Sequence, residues 1–308
     1  MKTPQLLSLA LVLLLLSAAL AGCADSGRVE SPAQETPAPS ESAPGQSIQT
    51  NGGEVIDLSR LEHQDVAAAA AVYYTSDIRP EAMVALYDAL GVGLTGERIA
   101  VKLSTGEPPA SNYLDPDLIA GLVHQVNGTI VENNTAYGGQ RSSTAMHYQV
   151  AEDHGFTGIT DFVVLDEEGS VSLPVAGGAQ LTENLVGAHF PEYDGYLVLS
   201  HFKGHAIAGF GVAIKNISIG MASQEGKCLI HTAGASRTTP WGGEQDPFLA
   251  STDPVALDQA CVDLVYASGD DTESLINRME SRNAVHVLEH GEEIGLGRRT
   301  YRLVSIDE

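Results

Sequence analysis

The residue types able to do chemistry gather in one run, Ser200-His201-Phe202-Lys203-Gly204-His205, followed by Gly209-Phe210-Gly211 and then Lys215-Asn216. Two imidazoles and two ammonium groups in so short a stretch suit one of two ligands. A divalent metal is held through imidazole nitrogens, and a carboxylate or phosphate is held by charge-assisted hydrogen bonds. His201, Lys203 and His205 are therefore the candidate catalytic residues, with His201 and His205 also the candidate metal ligands. Gly209 and Gly211 let backbone approach a bound group closely. Lys215 and Asn216 complete the candidate ligand-binding set on this side. The zinc-protease pattern is not met, because the residue after the first histidine is Phe202 where that mechanism needs a glutamate base. A triad of Ser200, His201 and Asp253 fails as well. Adjacent side chains on an extended segment point to opposite faces, and there is no Gly-x-Ser-x-Gly elbow. The alternative without chemistry has both histidines capping strand ends through the backbone and both lysines solvated.

A second group follows another apolar run. Asn133 and Arg141 are candidate ligand-binding residues, while Asn134 satisfies a turn. Arg141 either orients an anion through two parallel hydrogen bonds or pairs with an acid. His147 and His154 lie seven apart, on one face of a regular helix, with His154 capping its end.

These residues need elements to position them. Apolar or β-branched runs predict strands at 72–74, 99–103, 129–132, 161–165, 171–175, 196–199 and 301–306. Pro80, Asp115-Pro116, Ser142 or Ser143, and Asp253-Pro254 open helices. One of these runs to His154-Gly155, a glycine stop. Further helices are expected at 212–221, 272–279 and 284–289. Alternation of strands and helices implies an α/β fold, a largely parallel sheet with helices on both faces. Strand 196–199 feeds the His201 loop, and ligands bind at the carboxyl ends of such strands. Asn133 and Arg141 then lie on the same edge.

The N-terminus sets the expected address. Met1-Lys2 is a short positive region, and 6–20 is almost wholly apolar. The run falls short of the ~20 residues of a membrane span and reads as a signal peptide. It ends in Leu20-Ala21-Gly22-Cys23, which resembles the bacterial lipobox, a signal cut before a cysteine that is then acylated, palmitate being one such acyl group. The expected organisation is a signal at 1–22, lipidated Cys23 and a Pro/Ser/Glu-rich tether over 23–53, and an α/β domain over 54–308. The tether lacks the apolar content to fold. The mature chain is expected in the cell envelope, lipid-anchored and facing away from the cytoplasm.

Composition narrows the partners. Acids outnumber Lys and Arg 40 to 16, for a formal net charge of −24. That balance excludes nucleic acid, whose affinity rests on cations meeting phosphates. Of three cysteines, Cys23 is assigned to lipid. Cys228 and Cys261 stand either as a disulfide or as two buried thiols. A [4Fe–4S] cluster on four protein thiolates is excluded by count.

Several pieces together resemble the DUF362 family, an uncharacterised group often described as iron–sulfur-associated. They are Val101-Lys102-Leu103 with Gly106-Glu107, Glu132-Asn133-Asn134-Thr135 with Tyr137 and Arg141, and His154-Gly155-Phe156. The strongest is the Ser200–Asn216 run. Gly226-Lys227 with His231, Asp253-Pro254-Val255-Ala256 with Asp258-Gln259-Ala260, and Gly295-Leu296-Gly297 with Tyr301 follow in order. The resemblance covers nearly all of the chain after about residue 70. Many members carry a ferredoxin-like insert between the pieces matching His231 and Asp253. Here that stretch holds no cysteine, so the iron–sulfur label does not transfer. The resemblance implies a shared α/β body and supplies no activity. The expectation is a His/Lys-rich site for a divalent metal or a small anionic molecule, in a metal-dependent enzyme or in a non-catalytic solute-binding or envelope-assembly lipoprotein.

Overall fold

The computed structural model describes residues 11–17, 47–49, 53, 55–109, 111–178, 180–240, 253–268 and 273–307. Cys23, most of the tether and residues 241–252, part of the stretch between His231 and Asp253, lie outside the described residues.

Elements follow in the order β1 (Leu11–Ser17), β2 (Ser47–Gln49), β3 (Val55–Asp57), β4 (Ala71–Tyr74), α1 (Pro80–Ala89), β5 (Ile99–Lys102), α2 (Pro116–Gln125) and β6 (Gly128–Glu132). Then come α3 (Thr144–Asp153), β7 (Phe162–Val164), β8 (Ser170–Pro174), β9 (Glu183–Gly187), β10 (Gly195–His201), β11 (Lys203–His205) and β12 (Gly209–Gly211). The chain continues through α4 (Ala213–Ile217), α5 (Gln224–His231), α6 (Pro254–Ala267), α7 (Glu273–Ser281), α8 (His286–Glu293) and β13 (Arg302–Ser305).

The main sheet has the order β1-β10-β5-β6-β7. Strands β10, β5, β6 and β7 are mutually parallel, with Val198 opposite Lys102 and Lys102 opposite Val131. The fold is thus α/β. Each strand is buried on both faces, and its side chains alternate between two cores. Val101, Leu103, Ile130, Leu197 and Leu199 pack on Met83 and Tyr87 of α1, Ile119, Leu122 and Val123 of α2, and Ala151 of α3. Ala100, Val131, Tyr196 and Val198 pack on the opposite side against Leu165, Tyr193, Met221 and Ile217 of α4. Asp115 caps α2 through the Asp117 amide, with Pro116 in its first turn, as its sequence predicts.

A second layer is organised by α6, capped by Asp253 through the Ala256 amide. Tyr301, Leu303 and Val72 of the parallel β13–β4 pair cover one side. Phe202, Phe210, Met279 and Leu288 cover another, together with Cys261. α6 is buried although Asp258, Gln259 and Asp263 interrupt its apolar residues. The closing strand pairs with β4 and stays out of the main sheet. Cys228, in α5, and Cys261, in α6, are separate buried thiols.

Three other features depart from expectation. Residues 11–17 lie as a strand on the edge of the main sheet, antiparallel to β10. The predicted helix over 212–221 is a short α4, after which Ser223 caps the separate helix α5 through the Gly226 amide. Residues 203–211 form the small β11–β12 hairpin, whose glycine-rich strands show no alternating pattern to predict them from. No described helix is long and apolar enough to cross a membrane.

Candidate functional site

The carboxyl ends of β5, β6 and β10 bring three polar residues to one edge: Lys102, Glu132 and His201. Lys102 Nζ donates to Leu103 O at 2.9 Å and to Asn216 Oδ1 at 2.8 Å. Asn216 in turn donates from Nδ2 to Ser200 Oγ at 3.0 Å and to Leu199 O at 3.3 Å. One side chain on α4 thus ties together the ends of two strands. Glu132 receives Arg141 Nη1 at 2.8 Å, His147 Nε2 lies at 3.1 Å, and the Thr105 amide and hydroxyl donate at 2.8 and 2.7 Å. Burial works against this carboxylate, but Arg141, the His147 contact and Lys102 outweigh it and hold Glu132 well below the usual carboxylate range.

A pocket continuous with solvent opens at this edge. Its inner wall carries Lys102, Glu132, Arg141 and Lys227, and its outer wall His201, Lys203, His205 and Lys215. The chain has only five lysines, Lys2, Lys102, Lys203, Lys215 and Lys227, and four of them line this one pocket. Glu132 is the single carboxylate among the lining residues. Among the described residues the Lys203 ammonium makes no hydrogen bond or ion pair, its backbone pairing with Gly211 aside. Burial, with the charges of Arg141 and Lys203 adding to it, lowers the Lys102 ammonium to about 8. Burial lowers Lys227 to about 7, and Lys203 and His201 are shifted down for the same reason. Crowded cations in a dry wall lose protons more readily, and an incoming anion reverses that.

The geometry unites Arg141, His201, Lys203, His205, Gly211, Lys215 and Asn216, as expected from the sequence. It separates Asn133 and Gly209 from them. Asn133 Nδ2 donates to Gly220 O at 3.2 Å and so braces the turn after α4. Gly209 has φ +79°, and a Cβ there would stand 2.5 Å from Ala284 Cβ, so this glycine serves packing against the α7–α8 turn. At Gly211 a Cβ would meet Lys215 Cδ at 2.7 Å, so the missing side chain leaves room for that lysine. Arg141 takes the acid-pairing alternative, with Nε on Glu107 at 3.1 Å and Nη1 on Glu132. His205 Nδ1 accepts from the Ala208 amide at 3.1 Å and the Ile207 amide at 3.3 Å, closing the hairpin turn. Among the described residues no group of three or more His, Cys, Asp or Glu converges as metal ligands do. No described His, Cys, Asp or Glu completes such a group with His201 and His205.

Lys102, Lys227, Glu132 and Tyr137 belong to the pieces that carry the family resemblance but are not among the candidate site residues read from sequence. Tyr137 hydrogen-bonds His231 Nε2 at the pocket wall. Lys227 arrives because Gly226 packs tightly on β9, where a Cβ would sit 2.0 Å from Leu185 O. The scarcity of lysine was the available signal.

The architecture defines a class: an α/β protein with a cation-lined pocket at the carboxyl edge of a parallel sheet. Residues 99–240 match the model of one family, described as a domain of unknown function, DUF362. That span runs from β5 past α5 and takes in every pocket-lining residue. The similar pieces at Asp253–Ala260 and Gly295–Tyr301 lie outside it. No curated protein and no solved structure matches the chain.

Proposed function

We propose that the pocket binds a small organic anion bearing a carboxylate or phosphate. One observation carries this reading: four of five lysines converge on a cavity where, among the described residues, the single lining carboxylate is already paired with Arg141. In a chain of net charge −24 such a concentration of positive charge serves a local purpose. Lys203 and Lys215 neutralise the ligand charge, and Asn216 and Lys102 fix the inner wall. The anion reading is better supported than a metal reading, since the cationic wall repels a divalent ion. The test is isothermal calorimetry on the full chain with inorganic phosphate, citrate and pyruvate. Binding in the parent and its loss in Lys203→Met and Lys215→Met supports the proposal. Stoichiometric zinc or iron that disappears in His201→Ala/His205→Ala, with no anion bound, overturns it.

The reading also places the protein at a membrane surface through acyl chains on Cys23. It rests on the Leu20-Ala21-Gly22-Cys23 signal. Cleavage there would remove β1 and leave β10 as the sheet edge. Intact mass of the membrane-extracted chain tests it. An acylated N-terminal cysteine is expected, and a chain retaining residues 1–22 overturns it.

A further inference from the structure

An ammonium carries three N–H donors, and a neutral amine carries two donors and a lone pair. The four pocket lysines differ in how the fold meets those needs. Lys102 is 1% exposed and gives its donors to two acceptors, Leu103 O and Asn216 Oδ1. Lys203 and Lys215 are less deeply buried, on the hairpin and on α4. Lys227 is 8% exposed, lines the cavity and has one protein acceptor, Ala222 O at 2.5 Å. Among the described residues no carboxylate is ion-paired to it. The charges that bear on it are Asp166, Lys102, Glu132 and Arg141, two acids against two bases. A deeply set amine with one acceptor, beside a second buried cation, is the arrangement that keeps a lysine neutral and nucleophilic. Its lowered basicity agrees with that placement.

We propose that Lys227 is a nucleophile that forms an imine with the carbonyl carbon of a small oxo acid, whose acidic group is held by Lys203 and Lys215. This rests on the anion-binding reading and narrows its ligand to anions that also carry an aldehyde or ketone. The step balances without any oxidant or reductant. The Nζ lone pair forms the C–N bond while the C=O π pair moves to oxygen. One nitrogen proton shifts to that oxygen to give the carbinolamine, a second proton comes from solvent so that the oxygen leaves as water, and nitrogen keeps its remaining proton as the protonated imine. The protonated imine withdraws electrons from adjacent bonds, which is what proton abstraction or C–C cleavage beside the former carbonyl requires.

With so few lysines the reaction is directly readable. The full chain is incubated with pyruvate, and separately with glyoxylate, reduced with borohydride, and mapped by peptide mass. The expected result is one reduced adduct per chain, on the Lys227 peptide. Excess citrate should suppress it at least tenfold, and Lys227→Arg should lack it. Calorimetry with each oxo acid runs alongside. Oxo acid bound without any adduct overturns the imine and leaves the anion pocket standing. An adduct on Lys203, or spread over all lysines, overturns the assignment of Lys227 even if Lys227→Arg fails to fold. No binding of oxo acid, phosphate or citrate overturns both readings.

Discussion

Glu132 Oε1 and Arg141 Nη1 meet at 2.8 Å at the base of the pocket, with side chains 8% and 13% exposed. Every other contact to the Glu132 carboxylate also comes from a donor or from His147. Glu132→Gln replaces one acceptor oxygen by an amide that must face donors. Breaking a mostly buried pair of this kind costs about 3–5 kcal/mol. Urea denaturation at pH 7 should show a loss in that range. The folded pKa is depressed, so this contribution is present above the unfolded value of about 4.3 and is lost as pH falls through the folded value. The gap between parent and variant should therefore narrow in acid. A gap that is constant from pH 7 to pH 3 would contradict the assignment.

Lys203 has no described partner to give up when a ligand arrives. A hydrogen bond to a charged group contributes about 1.5–3 kcal/mol, so Lys203→Met should weaken anion binding roughly 10- to 100-fold. Stability should change little, because no hydrogen bond is broken. Paired calorimetry and thermal denaturation separate the two effects.

Lys102 at about 8 is part-deprotonated near neutral pH. An anion held nearby stabilises its charged form, so binding takes up protons and affinity falls as pH rises from about 7 to 9. Calorimetry in two buffers of different ionisation enthalpy measures that uptake. Proton release on binding would exclude this account.

Asp258 of α6 acts on the site without touching it. Its two oxygens accept from the Ala213 and Ile214 amides, each at 3.0 Å, and so anchor the start of α4, which carries Lys215 and Asn216. Burial pushes its carboxyl up to about 7, against the pull of those two hydrogen bonds. With the folded value above the unfolded one of about 3.9, the folded state holds the extra proton in between. Its stability contribution then declines as pH rises from about 4 to 7. Asp258→Asn should flatten that slope, cost about 1–3 kcal/mol at pH 8 through one unmatched amide, and weaken anion binding. Unchanged affinity in a folded variant would show that α4 needs no such anchor.

The α/β class was legible because helix caps and buried strands are local signals. Asp115-Pro116 and Asp253-Pro254 begin helices from their own side chains, and 99–102, 128–132 and 195–201 are apolar enough to be central strands. The expected edge was legible too, because parallel strands align their carboxyl ends. Lys203, Lys215 and Arg141 could therefore be placed near His201 from sequence. Tertiary structure decided what sequence spacing does not encode. It brought Lys227 into the same pocket as Lys102, with Gly226 packed against β9. It gave Arg141 to Glu132 and Glu107 ahead of any ligand. It turned Gly209 toward α7 and α8, and it sent β13 to β4. These outcomes depend on which surfaces meet, over separations from 9 residues for Glu132 and Arg141 to more than 200 for β4 and β13. Burial, which lowers the lysines and raises Asp258, exists only once those surfaces have met.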